Sequence, residues 1–164
     1  MHRVQQILNA IQAELLDSNA FGDRVYLQRD IALSELEQEL PAVCVFMGPN
    51  EPLVEYTSDS LIPADGLLAD DGLQSFDFRL TVIITVVAAA AKESDVLVEL
   101  LVLDSAVQAS VMAARMHGLD EFVIGTAPKG HPEGPQIEAG GERIAGSLES
   151  RYGVDYQLQA TTSE

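Results

Sequence analysis

The sequence predicts an α+β fold in which two main helices pack on one face of a largely antiparallel sheet. Three observations carry that expectation. Arg3 to Leu16 and Glu93 to Met116 place apolar residues at helical spacings of three and four. Phe76 to Val87 and Ile144 to Leu158 alternate in strand fashion. The element order is helix, strand, strand, long arm, long strand, long helix, loop, long strand, for which helices on one face of such a sheet are the simplest layering. With 164 residues the chain is expected to form a single domain, 1–164, large enough to bury roughly two thirds of its unfolded surface without a metal or disulfide.

In the first helix Val4, Ile7, Leu8, Ile11 and Leu15 share one face, and Asp17 to Asn19 end it. Arg24 to Gln28 reads as a short strand. Ile31 to Leu40 is ambiguous: Ser34 can cap one turn through Glu39, but Pro41 prevents continuation because it biases Leu40 away from helical dihedrals. Ala42 to Gly48 (AVCVFMG) is apolar on both parities, the pattern of a strand covered on both faces. Pro49 to Ser75, with repeated Pro, Gly and acids, is expected to be a long contact arm, with Leu53 to Tyr56 as a short strand within it. Its Leu61, Ile62, Leu67 and Leu68 are too apolar for a purely solvated tether.

The next segment, FRLTVIITVVAAAAKESD, contains twelve uncharged residues, Leu80 to Ala91. A bilayer-spanning helix needs about 20, so a strand running from a half-exposed start into a doubly covered interior is expected, and no membrane contact. The apolar stripe of the following helix is widened by Val98 and Val102 beyond what a one-sided surface helix requires, pointing to contact with two layers or with a neighbouring subunit. Leu119 to Gly125 is expected to be a short strand or turn, and Thr126 to Gly141 a second extended loop. The last alternating segment would span about 50 Å as one strand, so Gly146 or Gly153 is expected to bend it, or part of it to project. Thr161 to Glu164 reads as a frayed tail.

Composition excludes several functions. Twenty-six acids against nine bases give a formal charge of −17, unsuited to gripping nucleic-acid phosphates. Met1 to Leu16 lacks the solid apolar block of an export signal, so a cytoplasmic location is expected. Lone Cys44, flanked by Val43 and Val45, is expected to be a buried, inert thiol. Gly125 to Gly130 has the frame of a phosphate loop, but His131 and Pro132 stand where lysine and a hydroxyl are needed. His2, His117 and His131 are scattered, and Asp65, Asp70 and Asp71 fit no calcium-loop frame, so neither metal nor other cofactor is expected. No G-x-S-x-G occurs, and carboxylate pairs such as Glu142 with Glu149, or Asp70 with Asp71, have no motif to single them out; no enzyme is expected.

A chain with strong core patterns, apolar-studded loops, high acidity and no chemical motif suits an assembly component. The amphipathic first helix, the strand near RVY, LPAVCVFMG, the acidic stretch before FRLTVIITV, the helix starting near KESD and the terminal strand closing on YGVDYQ together resemble the tail terminator proteins of long, non-contractile-tailed bacteriophages, the U-type minor tail family of lambda-like phages. The resemblance spans residues 3 to 158. It implies a virion protein, assembled in the host cytoplasm, that forms a hexameric ring at the head-proximal end of the tail. Such a ring ends tube growth and gives the surface for head-tail joining, with itself, the major tail tube protein and a head completion or connector protein as partners. The family has no catalytic residues to carry over. A heterologous ring contact would draw on Arg79, Arg143 and Arg151 for a neighbour's acids, against the alternative of cross-strand pairs within the chain, and on Leu61 to Leu68 or the extra face of the second helix for apolar contact. Two other readings are a different connector or tail completion subunit and a ligand-binding or regulatory α+β module.

Overall fold

The first helix and the long strands form where the periodicities place them. In the computed structural model, residues 2–28, 40–53, 73–114, 118–140 and 143–161 are described. They comprise α1 (Arg3–Asp17), β1 (Val25–Leu27), β2 (Ala42–Pro52), β3 (Leu73–Ala90), α2 (Glu93–Ala113), β4 (Val123–Gly130), β5 (Gln136–Gly140) and β6 (Arg143–Thr161). His2 caps α1, its Nδ1 accepting from the Val4 amide at 3.1 Å. The chain leaves that helix through Asn19 and Gly22, both at positive φ. The α2 helix begins with Glu93 and Asp95 in its first turn, where carboxylates offset the positive end of the helix dipole.

The six-stranded sheet has the order β1-β2-β3-β6-β4, with β5 also pairing β6. Among the described strands only β1 with β2 is parallel. The spine is β3 with β6, in unbroken antiparallel register from Leu73 opposite Thr161 to Ala90 opposite Ile144. On its even-numbered face Leu80, Val82, Ile84, Val86 and Ala88 are wholly buried. Both helices cover that face, enclosing one core that also takes Ile7, Ile11 and Leu15 from α1, Val96, Leu100 and Val107 from α2, and Tyr152, Val154 and Tyr156 from β6. The α+β class with helices on a mostly antiparallel sheet is therefore the observed one.

Several boundaries differ from the sequence reading. The expected loop 126–141 is largely strand: β4 and β5 pair successive stretches of β6 along one edge. Pro128 fits there because an edge strand needs no donor on its outer side. Doubly covered burial in β2 stops at Val45; the strand then continues to Pro52 through a register shift between Met47 and Asn50. Pro49–Pro52 and Leu73–Ser75, expected in the arm, thus belong to β2 and β3, while 54–72, with Leu61, Ile62, Leu67 and Leu68, lies outside the described residues, as do 29–39 and 115–117.

Gly146 lies in unbroken register with Ala88 of β3 and faces α2. A Cβ there would lie 2.7 Å from Val96 Cγ1 and 3.1 Å from Leu100 Cδ1, so this glycine lets α2 approach the strand. Towards the start of β3 burial weakens: Phe76 to Phe78 are half-buried, with Phe78 still packed against the core, and Arg79 is exposed. That stretch is held by Phe78 stacked on Tyr156 at 5.9 Å, with the Tyr156 hydroxyl donating to Asn50 Oδ1 at 3.0 Å.

Candidate interaction surfaces

A helix that is apolar all round either lies in a large core or leaves one side without a partner. The α2 helix is of that kind, long and apolar enough by length and composition to cross a membrane. Val96, Leu100, Leu103, Val107 and Val111 face the core. On the side turned away from the sheet Val98, Leu101, Val102 and Met112 are 62%, 57%, 63% and 44% exposed. Ser105, Gln108 and Ala109 complete this stripe, and no charge occurs between Ser105 and Ala114. An uncharged apolar stripe in a chain of net charge −17 is the candidate contact surface, because contiguous exposed apolar patches are uncommon on soluble proteins.

The sheet's other face carries the odd-numbered side chains of β3 and β6, and it changes character along its length. At one end Val87, Ala89 and Ala145, with Ala42 and Cys44 of β2, are buried. At the other end polar groups are exposed. Arg79 Nε lies 2.7 Å from Asp155 Oδ1, and its NH2 nitrogen donates to Asp155 Oδ2 at 2.9 Å. This bidentate pair, through its hydrogen bonds and then its charge, raises the pKa of Arg79 further above its ordinary value. Arg151 Nε donates to Glu149 Oε2 at 3.1 Å. Lys129 of β4 reaches across Gly153 and donates to Thr81 Oγ1 at 3.3 Å, with no carboxylate in ion-pair range among the described residues. Beside these groups is a concavity of ≈ 570 Å³ with Thr81, Lys129 and Arg151 in its lining and Pro49 and Pro132 among its walls.

A further polar contact ties the sheet edge to α2. His131 Nε2 lies 2.9 Å from Asp104 Oδ2, while Asp104 Oδ1 is buried without a hydrogen-bond partner among the described residues. Burial pushes the Tyr152 hydroxyl pKa up, the Asp104 charge adds to that, and a hydrogen bond with Ser150 opposes it.

Two of the predicted arginines, Arg79 and Arg151, lie on this open face: Arg79 pairs across the strands with Asp155, the cross-strand alternative of the sequence reading, whereas Arg151 pairs with Glu149 of its own strand. Arg143 is exposed at the far end of β6. Lys129 and His131 were missed because their segment reads as a Gly- and Pro-rich loop; the alternation that would reveal an edge strand is broken by register shifts near both ends of β4. Cys44 is buried as expected. No group of three or more His, Cys, Asp or Glu suited to a metal occurs among the described residues. A scan against protein-family models matches none of them, and a search of the curated proteins finds no significant relative.

Proposed function

We propose that this protein is a structural subunit that closes with copies of itself into a ring, six-membered as in the tail terminators it resembles. The ring sits on the head-proximal end of a phage tail tube, and the subunit catalyses no reaction. One observation carries the reading above all others: the uncharged, exposed stripe Val98, Leu101, Val102 and Met112 on α2. Nothing in folding one chain requires four large apolar side chains to stay in water, whereas contact with another subunit does. The fold accords with the α+β subunit that the resemblance implies.

Charge sets the conditions for assembly. Each copy brings −17, and like charges within about 8 to 10 Å of each other must be paired or screened before a ring closes. Association therefore strengthens with ionic strength or magnesium. The test is negative-stain imaging of purified protein mixed with isolated tail tubes. A ring on one end of each tube is expected; a subunit that ignores tube ends contradicts the reading, and one that seats only on the head side points to another connector role.

A further inference from the structure

We propose that the exposed stripe of α2 packs on the same stripe of a second copy, the two helices running antiparallel about a two-fold axis. This rests on the self-association reading and names the surface that α2 meets.

Spacing identifies the occupant. The side of α2 turned away from the sheet carries Ser94, Val98, Leu101, Ser105, Gln108 and Met112, all exposed and separated by alternating steps of four and three. A seam with that repeat is what one helix presents to another, because it lets the side chains of each interlock with those of its partner. The occupant is therefore a helix, and in a protein that associates with itself it comes from another copy of this chain. The α1 helix does not qualify: it turns Gln5, Gln6, Asn9 and Gln12 away from the core, and Leu16 is its one large exposed apolar residue. Among the described helices α2 remains, and a patch that meets its own copy does so about a two-fold axis.

Charge decides the direction. Glu93, Asp95 and Glu99 stand near the start of α2, whereas Ser105 to Ala114 carries no charge. Two parallel helices, with axes about 8–10 Å apart, would set these acids against their own copies within a screening length, in chains already at −17. Reversed, with Ser105 of each copy against Gln108 of the other, the two Asp95 positions lie about 35 Å apart at a rise of roughly 1.5 Å per residue. The same register sets Leu101 of each copy against Met112 of the other. Hydroxyl thus meets amide at the centre, and apolar meets apolar on either side. A two-fold contact joins copies in pairs, so the six-membered ring is three such pairs, with its other contacts elsewhere on the subunit.

The test oxidises an equimolar mixture of Ser105→Cys and Gln108→Cys. Both sites are exposed and Cys44 is buried, so the new thiols react without it. Intact mass separates the mixed disulfide from the two symmetrical ones. The mixed product should predominate, and Val98→Cys by itself, about 25 Å from its counterpart, should give none. Leu101→Asp should weaken pairing at least about tenfold in sedimentation, the scale of losing a large side chain central to an interface. A ready disulfide from Val98→Cys alone means parallel helices and overturns the inference. So does a wild type that assembles while the cysteine pair yields no mixed product, since α2 then meets another surface; the self-association reading survives either result. A wild type that never assembles overturns both.

Discussion

The two faces of the β3–β6 ribbon share a backbone and a register but little else. Even-numbered positions of β3 from Leu80 to Ala88 are wholly buried and aliphatic, and opposite them on β6 stand Val154, Tyr152, Ser150, Leu148 and Gly146. The odd positions from Arg79 to Val87 are mixed: Arg79, Thr81 and Thr85 face Asp155, Gly153 and Glu149, Ile83 faces Arg151, and Val87 is buried. Because side chains alternate strictly along a strand, each face can serve a separate purpose. The even face supplies the hydrophobic drive for folding. The odd face, where it is open, carries exposed ion pairs that contribute little to stability. The α2 helix repeats the division around its own axis, with a core side and an outer side that are almost equally apolar.

Substitutions on the even face should break the fold first. Tyr156→Ala removes a buried ring, its stack on Phe78 and its hydrogen bond to Asn50. It should cost about 3–5 kcal/mol, measured by denaturant unfolding. An unchanged midpoint would mean that the ribbon is held by its odd side after all.

A smaller effect comes from Tyr152 and appears only in alkali. Its pKa is raised in the folded chain, chiefly by burial, above its ordinary value of 10.0. Below about pH 10 the hydroxyl is protonated in both folded and unfolded chains, and the stability it contributes is fully present. As pH rises through the folded pKa that contribution is lost, because ionisation is easier in the unfolded chain. Unfolding midpoints of wild type should therefore fall more steeply above pH 10 than those of Tyr152→Phe; parallel curves would show that Tyr152 ionises as freely inside as outside.

Most of the even face was legible in the sequence, because burial on one side writes period-2 and helical spacings directly into residue types. The α1 stripe, the β3 alternation and the long terminal strand follow from that alone. The strands along the outer side of β6 were not legible, whereas β1 at the other edge was. β4 and β5 hold their place by backbone hydrogen bonds to β6, which carry no side-chain pattern, and Gly125, Pro128 and Gly130 present the composition of a turn. The same blind spot hid Lys129. On α2 the excess apolarity could be read, since Val98 and Val102 fall outside a one-sided stripe, but the direction of that extra face needed the fold.

The smallest expected effect on folding is paired with the largest on assembly. Val102→Asp places a charge on an already exposed site, so its unfolding free energy should stay within about 0.5 kcal/mol of wild type. The decisive measurement is the native mass of wild type and Val102→Asp side by side at high ionic strength and high protein concentration. A ring mass for the wild type, with six subunits as the resemblance implies, and a single folded subunit for the variant is the predicted result. A wild type that stays a lone 17.7 kDa subunit under those conditions, or a variant that assembles as well as its parent, would contradict the account.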